Sequence, residues 1–554
     1  MNILLIDCSL GTQPEHIVRE AHWHDSKGAF VPVQYFLQQA GENGHAFQPD
    51  VLIQKEHIGR RLLLGGLWEL PCPKIFWSVD SHLNLYWQRF YCQLFDLVLT
   101  PHAAIFSRLP QSWHLPRVES FSCPGSARPW HAHTERSSAA TFVGRIDGYR
   151  DQRQRFVHFL RERHGVEPKN LPYEEMLRHY DDTRILPNES ICREFNFRIM
   201  EGASCGCCVL TEDIGPDLAA NFEPGREVLT YRHVQDLDDE LRFLTARPHL
   251  TENIGKAAQT RVLQCHLPEH RYQALLHIAA DLAAHIPNSA QERRSYALAC
   301  AQMARGNPAC HFLLPQIQQQ LEAVESDWQT VAMRLRMDME AGAEESMRKL
   351  LAHLLNIAET LDNEDRLDAL TTALSAVLWL QDAALTTTCC RLGQAMGQAM
   401  GQDMGQALSA GMRGNNLDIC MRWAELLAAT GRLCQPGFLF SDTGRQCPET
   451  AIEMLLFAKQ WIRNDDEMQR WVAAIARMSG QSPLTPMALN YSAHHSLYCG
   501  SDWRVGLDYA FWNLRSYRLD EGITEVRIAH ELALQNGEGE QFLAEASRLG
   551  IRLR

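Results

Sequence analysis

The sequence has no run of apolar residues long enough to cross a membrane, and it has no pattern typical of a secretory leader. A membrane-spanning helix needs roughly 18 or more consecutive apolar residues, and the 554 residues contain no such run. The first seven residues, MNILLID, indicate a buried strand rather than a charged segment followed by an apolar one. We therefore expect a cytoplasmic protein.

An excess of positive charge and a cysteine framework are also missing. Lys plus Arg number 53 against 67 Asp plus Glu, a formal net charge of −14, which argues against bulk binding of nucleic acid. The 17 cysteines are scattered without the spacing of a disulfide or zinc framework. Cys205, Cys207 and Cys208 are interpreted as small core residues. We predict reduced thiols and no metal site.

The first predicted strand is not followed by a Gly-x-Gly-x-x-Gly pattern, which argues against a dinucleotide-binding domain of the usual kind. Residues 1–128 instead alternate apolar strands with helical segments, which predicts a doubly wound parallel sheet. The predicted strands lie at 2–7, 51–54, 74–79 and 97–100.

Polar residues follow the third of these predicted strands directly. Asp80 and His82 would lie at its carboxyl end, where loop residues face a cleft, and either could take a proton from an acceptor hydroxyl. The alternative makes Asp80 the N-cap of the next helix. His102 follows the next strand and is a weaker candidate for the same role.

Residues 123–139 have the composition of a linker, and a second α/β domain is predicted at 138–286. A strand ends at Gly144, whose missing side chain would let a ligand approach the backbone. Arg145 and Arg153 follow it, and arginine can hold a diphosphate through two parallel hydrogen bonds. The alternative is a solvated helix face.

Residues 188–213 are predicted to form a loop, a helix, a tight turn and a buried strand. Asn196 is the predicted N-cap, with a side-chain oxygen that accepts from first-turn amides, and Gly206 holds the left-handed position after the helix. Such a helix start suits a phosphate, and Arg198 adds positive charge there, one turn before Glu201. The alternative is an ordinary βα unit with an Arg198–Glu201 surface pair.

This stretch resembles the donor-binding core of the group 1 glycosyltransferases, which have the GT-B fold, in particular the branch of spore-maturation-type and flagellin-modifying enzymes. That branch typically shows Asn-x-Arg-x-Phe-Glu and then Ala-x-Gly-x-x-Leu-Thr-Asp. Met200 replaces the family's Phe, and Arg193 stands where the larger group has an upstream glutamate. The matching residues are Asn196, Arg198, Glu201, Gly206, Leu210, Thr211 and Asp213.

The resemblance implies two Rossmann-like lobes, with a nucleotide-sugar donor bound mainly by the second lobe and no resident cofactor. It assigns the ribose hydroxyls to Glu201 and leaves Asp80 and His82 on the acceptor side. His266, His270 and Arg271 resemble a family segment that we interpret as structural. The predicted donor-binding residues are Gly144, Arg145, Arg153, Asn196, Arg198, Glu201 and Gly206.

Strand signals disappear in residues 287–554, where apolar residues recur at helical spacing. We predict a helical domain similar to tetratricopeptide (TPR) repeats, which present a concave face to a protein. Residues 394–407 repeat Gln-Ala-Met-Gly with small variations; a loose helix is predicted there, with a surface loop as the alternative.

The predicted fold class is therefore α/β then all-α: two Rossmann-like lobes followed by a TPR-like helical region. The predicted function is transfer of a sugar from a UDP, GDP or dTDP donor to an acceptor, by resemblance a protein such as flagellin docked by the tail. Two alternatives stay open: a nucleotide-sugar epimerase on the same fold, and a non-catalytic scaffold, which the departure at Arg193 favours.

Overall fold

The computed structural model describes residues 1–9, 15–24, 29–57, 61–146, 151–283, 288–399, 415–438, 440 and 445–553. The chain divides into two compact units, each built from two separate stretches of sequence. The first unit combines Met1–Ser120 with His277–Ala474, and the second combines Phe121–Leu276 with Ile475–Arg554.

The first unit contains a parallel sheet in the order β2-β1-β4-β6-β7-β8 and a parallel pair β3-β5. Its strands are β1 (Asn2–Ile6), β2 (Ile17–Ala21), β3 (Ala29–Pro32), β4 (Val51–Lys55), β5 (Leu62–Gly65), β6 (Lys74–Trp77), β7 (Leu97–Thr100) and β8 (Arg117–Ser120). The intervening helices are α1 (Val33–Ala40), α2 (Ser81–Tyr91) and α3 (Ala103–Phe106). β1, β4, β6 and β7 confirm the four predicted strands, whereas the edge strands β2 and β8 and the pair β3-β5 were not predicted.

The second unit contains a parallel sheet in the order β14-β13-β12-β9 and a parallel pair β10-β11. Its strands are β9 (Ser138–Ala140), β10 (Phe142–Val143), β11 (Pro168–Lys169), β12 (Thr183–Pro187), β13 (Cys208–Glu212) and β14 (Leu229–Tyr231). The helices that follow these strands are α4 (Asp151–His164), α5 (Tyr173–Asp181), α6 (Phe197–Ser204), α7 (Pro216–Ala219), α8 (Val234–Thr245), α9 (Pro248–Cys265) and α10 (Pro268–Asp281).

The described part of the chain after residue 287 is largely helical. Its helices are α11 (Ser289–Arg305), α12 (Leu314–Ala323), α13 (Trp328–Ala341), α14 (Glu344–Ala358), α15 (Asn363–Trp379), α16 (Ala383–Ala399), α17 (Asn416–Ala429), α18 (Ala451–Ala458), α19 (Asp465–Gln481), α20 (Thr485–Tyr498), α21 (Trp503–Arg515), α22 (Leu519–Gln535) and α23 (Gly539–Leu549). In the Gln-Ala-Met-Gly repeat, residues 394–399 belong to α16 and residues 400–407 lie outside the described residues.

Helix α11 completes the core of the first unit. Tyr296, Leu298 and Met303 are buried in one apolar cluster with Leu4 of β1 and Phe76 of β6. The sheet and this helix thus share a single core. Most of the sequence between β8 and α11, Phe121–Leu276, belongs to the second unit. Removing this apolar surface from water stabilises both elements together.

A buried carboxylate joins three helices of the first unit. Glu449, just before α18, accepts from Nε2 of Gln302 at 2.7 Å, from Nη1 of Arg336 at 2.9 Å and from Nη1 of Arg305 at 3.2 Å, and it also pairs with Arg89. Burial alone would raise the pKa of Glu449, but the three arginines hold it well below the usual range. The ion cluster therefore fixes α2, α11 and α13 at one point.

The last helices complete the core of the second unit in the same way. Leu507 and Leu514 of α21 and Phe542 of α23 are buried in one cluster with Phe156 of α4 and Leu237 of α8. The stretch predicted as one domain, 287–554, is thus divided between the two units.

The predicted fold class is confirmed in its main terms: two parallel α/β sheets, followed by a largely helical region. The domain boundaries at 128, 138 and 286 and the TPR-like repeat remain predictions. The predicted linker 123–139 includes a buried residue, Arg136, which donates to the carbonyl oxygen of Thr183 at 2.5 Å and of Cys205 at 2.9 Å.

Shortening one tail side chain should destabilise the second unit. Leu514 is 0% exposed in the shared core, so Leu514→Ala is expected to lower the free energy of unfolding by about 2–5 kcal/mol. Leu543→Ala, at a side chain that is 48% exposed, is the control and should change it by less than about 0.5 kcal/mol. Urea unfolding followed by circular dichroism measures both; equal effects would contradict a core shared by sheet and tail.

Candidate functional site

One arginine joins two loops at the carboxyl edge of the second unit's strands. β10 pairs with β11, whereas β12 pairs with β9 and β13, so β10 and β12 belong to different strand sets. Arg198, in the first turn of α6, donates from Nε to the carbonyl oxygen of Val143 at 3.2 Å and from Nη1 to Oδ1 of Asn188 at 2.6 Å. The side chain is largely buried. It fixes a positive charge at the edge where parallel α/β sheets bind ligands.

Gly144, directly after β10, leaves the space that this arginine needs. A Cβ at position 144 would lie 2.7 Å from Nη2 of Arg198 and 3.2 Å from the ring of Phe142. The guanidinium carbon of Arg198 lies 4.5 Å from the centroid of that ring. The glycine therefore admits a side chain of the protein itself, whereas the sequence had suggested the approach of a ligand.

Asn196 is the N-cap residue of α6, but its side chain does not cap the helix. Its backbone is extended, with φ −91° and ψ 164°, and no first-turn amide bonds to its side-chain oxygen. Nδ2 instead donates to the carbonyl oxygen of Glu189 at 3.1 Å, and Oδ1 is buried without a hydrogen-bond partner in the described structure. The predicted capping bond is thus wrong, because the side-chain amide holds the preceding loop.

The two other predicted donor-site arginines differ in their surroundings. Nε of Arg153 lies 2.8 Å from Oε2 of Glu189, and both side chains are buried. This ion pair balances the charge of Arg153 within the protein. Arg145 lies on the surface just after Gly144.

Glu201 lies one turn beyond Arg198 on α6 and is partly buried. Its carboxylate forms no hydrogen bond or ion pair within the described ranges, including with Arg198, so the alternative of an Arg198–Glu201 surface pair is not observed. Burial raises the pKa of Glu201 to about 6, although Arg198 acts in the opposite direction. Near neutral pH it is therefore an ionised acceptor without a protein donor.

Gly206 lies beyond the other end of α6. Its φ of +68° confirms the predicted left-handed turn, and a Cβ there would lie 2.7 Å from the ring of Trp130. Its carbonyl oxygen contacts Nε2 of His133 at 2.9 Å. The structure thus brings Gly144, Asn196 and Arg198 together and places Gly206 a full helix length away, about 12 Å for eight residues.

Asn188 is a central residue of the site that the sequence reasoning did not select. It follows β12 directly and is 0% exposed. Its Oδ1 accepts from Arg198, its Nδ2 donates to Oγ1 of Thr211 at 2.9 Å, and its backbone amide donates to the carbonyl oxygen of Leu210 at 2.8 Å. The hydroxyl of Tyr231 lies 2.7 Å from its carbonyl oxygen. The available signal was a single asparagine directly after a buried strand.

The first unit holds the acceptor-side candidates at the carboxyl end of β6. Asp80 is the N-cap residue of α2, yet its side chain forms no capping bond there. His82 is buried, which lowers its pKa to about 4, and its ring centroid lies 4.8 Å from that of His102. The structure thus brings Asp80, His82 and His102 to neighbouring positions, with His82 neutral at physiological pH.

Glu56 organises this loop and was not predicted. Its Oε2 accepts from the backbone amides of Val79 and Asp80 at 2.8 and 2.9 Å and from Oγ of Ser78 at 3.0 Å. Its Oε1 accepts from Nδ2 of Asn84 at 2.7 Å. The residue follows β4 directly, which was the only signal for it in the sequence.

The segment interpreted as structural is bound internally in the second unit. Nε2 of His266 contacts the carbonyl oxygen of Asn221 at 2.9 Å, and Nη2 of Arg271 donates to Oγ of Ser122 at 2.7 Å. Nδ1 of His270 accepts from the backbone amide of Leu267 at 3.2 Å.

Residues 129–277 match the family model described as "Glycosyl transferase-like". This part of the chain is similar to glycosyltransferases, and we refer to it below as the glycosyltransferase-like domain. It contains β10, β12 and α6, and with them Gly144, Asn188, Arg198 and Glu201. The search of curated proteins found no match.

Several solved structures show a weak likeness to about half of the chain. One is an alpha-glucosyltransferase in complex with UDP-glucose and DNA containing an abasic site, with 11% identity, a TM-score of 0.36, and coverage of 51% of this chain and 100% of that one. A second is Anabaena HepE in complex with UDP and glucose, with 13% identity, a TM-score of 0.35 and coverage of 51% and 100%. A third is sucrose-phosphate synthase from Thermosynechococcus elongatus, with 11% identity, a TM-score of 0.34 and coverage of 45% and 77%. Likeness at these scores supports no further conclusion.

Within the described residues, no group of three or more His, Cys, Asp or Glu side chains is arranged to hold a metal ion. The helices of the same residues include none that is long and apolar enough to cross a membrane.

Glu201→Gln should change how the stability of the glycosyltransferase-like domain depends on pH. The folded-state pKa of Glu201 is about 6, above the unfolded value of about 4.3. The folded protein therefore binds this proton more tightly, and stability is lost as the pH rises from the unfolded towards the folded pKa. The variant should gain up to about 2 kcal/mol relative to the natural protein between about pH 4 and about pH 7.

Urea unfolding at a series of pH values measures this difference. Glu175→Gln, at an exposed position of α5, is the matched control and should show no pH-dependent gain. A flat difference for Glu201→Gln would mean that the carboxylate is well solvated in the folded domain.

Proposed function

We propose that this protein transfers a sugar from a nucleotide-diphosphate donor to an acceptor, and that the glycosyltransferase-like domain binds the donor. The main support for this proposal is the position of the Arg198 guanidinium, which lies at the start of α6 and bonds to the chain at the ends of β10 and β12. A positive charge and a helix start converge there at the carboxyl edge of the strands. Such a place suits the phosphates of a nucleotide.

Breaking the bond between sugar and diphosphate leaves negative charge on the departing phosphate. A fixed positive charge stabilises the transition state more than the ground state, because the charge grows as the bond breaks. Arg198 supplies that charge from a rigid position, and Arg145 adds to it from the surface. With these cations and the amides of α6, the proposed reaction needs no bound metal.

Glu201 is proposed to bind the ribose of the donor. A carboxylate can accept hydrogen bonds from two neighbouring hydroxyls, and this one forms no hydrogen bond within the described ranges. Gly144 supports the site indirectly through the position of Arg198, and Asn196 does so through the loop that contains Glu189.

The acceptor-side roles are assigned to the first unit. Asp80 is proposed as the base that takes the proton of the acceptor hydroxyl, should the reaction invert the sugar configuration. His82 lies two residues further on and is buried in its neutral form. A retaining reaction would need no strong base at this place.

The proposed acceptor is a protein, with flagellin the first candidate by family resemblance. The helical stretch 287–554 is proposed to dock it. The proposal follows from the fusion of a glycosyltransferase-like domain to a long helical region that includes exposed apolar side chains such as Phe312 and Leu497.

Donor binding is tested by calorimetry with UDP, GDP and dTDP. At least one should bind the natural protein. Glu201→Ala should weaken that binding about ten-fold or more, as expected for lost charge-assisted hydrogen bonds, and Glu175→Ala on the same domain should not. Arg198→Lys keeps the charge but loses the planar fork that reaches two loops, so it should lower turnover while preserving the fold. Absence of binding by all three nucleotides would favour the scaffold alternative.

Co-expression with candidate flagellins tests the acceptor. Intact-mass spectrometry should show flagellin heavier by one or more sugar residues, and Arg198→Lys should reduce that fraction. Asp80→Asn should reduce it strongly in an inverting reaction and little in a retaining one. Conversion of a nucleotide sugar without any acceptor would instead identify an epimerase.

A further inference from the structure

Side chains of the tail reach the polar core behind the proposed donor site, and Tyr517 is one of them. Tyr517 lies in the turn between α21 and α22, and its hydroxyl is 2.9 Å from the hydroxyl of Tyr231 at the end of β14. The same hydroxyl contacts Oε1 of Glu212, the last residue of β13. The hydroxyl of Tyr231 in turn lies 2.7 Å from the carbonyl oxygen of Asn188. All four residues are buried.

These four groups form an unbranched chain of three oxygen–oxygen contacts, and counting protons determines its direction. The carbonyl oxygen of Asn188 only accepts, so the proton of Tyr231 points towards it. Tyr517 must then donate to Tyr231 if the contact between the two hydroxyls is a hydrogen bond. The hydroxyl proton of Tyr517 then takes part in the bond to Tyr231. A hydrogen bond between Tyr517 and Glu212 therefore forms only if Glu212 carries a proton and donates it. If Glu212 is ionised, it accepts from Tyr517, and the two tyrosine protons must serve three contacts, so one contact has no hydrogen.

The surroundings of Glu212 determine which form is favoured. Nη2 of Arg515 lies 3.5 Å from its other oxygen, Oε2, and Arg515 also donates from Nη1 to the carbonyl oxygen of Arg232 at 2.6 Å. Other charged neighbours are Glu189 and Glu194, which disfavour ionisation, and Arg193, which favours it. Burial outweighs these cations and raises the pKa of Glu212.

We propose that Glu212 is held as the neutral acid and that the chain from Glu212 through Tyr517 and Tyr231 positions Asn188, and through it Arg198. Tyr517 is then a positioning residue for donor binding that the C-terminal helices supply. This second part rests on the proposed function. Asn188 transmits the effect because its carbonyl oxygen contacts Tyr231 while its Oδ1 accepts from Arg198.

The backbone of Tyr517 supports a dedicated role. Its φ is +63°, a left-handed conformation that is unfavourable for a residue with a side chain. A glycine would relieve that strain at the same turn but would remove the hydroxyl. The residue at this left-handed position is thus a tyrosine whose hydroxyl contacts Tyr231, and not a glycine.

Infrared difference spectroscopy tests the protonation without any ligand. The natural protein minus Glu212→Gln should show, near neutral pH, the carbonyl band of a protonated carboxylic acid, and Tyr517→Phe should shift that band. Glu212→Gln should keep most of the stability, because the new amide can donate to Tyr517 as the acid does. A carboxylate band in the difference spectrum, or a stability loss as large as that of Tyr517→Phe, would overturn the neutral assignment.

Calorimetry with the nucleotide that binds best tests the positioning role. Tyr517→Phe and Tyr231→Phe should each weaken binding about five-fold, the loss expected for one hydrogen bond, and the double variant should be little worse than either. If Tyr517 acts through Arg198, Tyr517→Phe should cause no further loss of nucleotide affinity in the Arg198→Lys variant. If Tyr517→Phe instead destabilises the domain in general, the loss of affinity should be the same in both backgrounds. Tyr509→Phe is the control on α21, since its hydroxyl makes no hydrogen bond in the described structure.

The outcomes separate the two proposals. If the natural protein binds nucleotide and Tyr517→Phe binds it equally well, the positioning role is overturned and donor binding stands. If the natural protein binds no nucleotide, both the positioning role and the proposed function are overturned, while the infrared result still tests Glu212.

Discussion

The second unit depends on the complete hydrogen bonding of one buried amide. Asn188 is 0% exposed, and its four polar groups are paired with partners from two strands, β13 and β14, and from α6. A buried polar group left unpaired costs about 1–3 kcal/mol, so each partner constrains the others. Arg198 can cross from the β12 loop to the β10 loop only because Asn188 holds it on one side and Gly144 leaves room on the other. The position of the Arg198 guanidinium therefore depends on several contacts along this edge of the sheet.

The helical region has a structural role in both units that its sequence pattern does not reveal. In the first unit, Glu449 and its arginines join α2 to α11 and α13. A buried ion cluster is stable only when each charge is compensated, so removal of one member would leave others unpaired in the core. In the second unit the contribution is apolar, from Leu507, Leu514 and Phe542. The same stretch of chain thus uses two different interactions to complete two cores.

Much of the fold was predictable from local pattern, because central parallel strands are buried on both faces and appear as apolar runs. β1, β4, β6 and β7 have this form, whereas the edge strands IVREA and RVES carry exposed polar residues and lack it. In the site, Gly144 was found because it directly follows a predicted strand, and Arg198 because it lies near a predicted helix start in a family-like motif. Asn188 and Tyr517 were not identified from the sequence, because their importance comes from contacts with residues distant in sequence. The predicted capping bond of Asn196 is absent: Nδ2 donates to the carbonyl oxygen of Glu189, and Oδ1 has no partner in the described structure.

The split of the tail between the two units has a consequence for synthesis on the ribosome. The second sheet is complete once residue 231 has emerged, but its apolar cover from α21 to α23 is made last. At typical elongation rates this leaves an open apolar face for an interval on the order of tens of seconds. During that interval the nascent chain exposes a surface that chaperones recognise. The apolar face of the first sheet is uncovered for a shorter time, because α11 precedes most of the helical stretch.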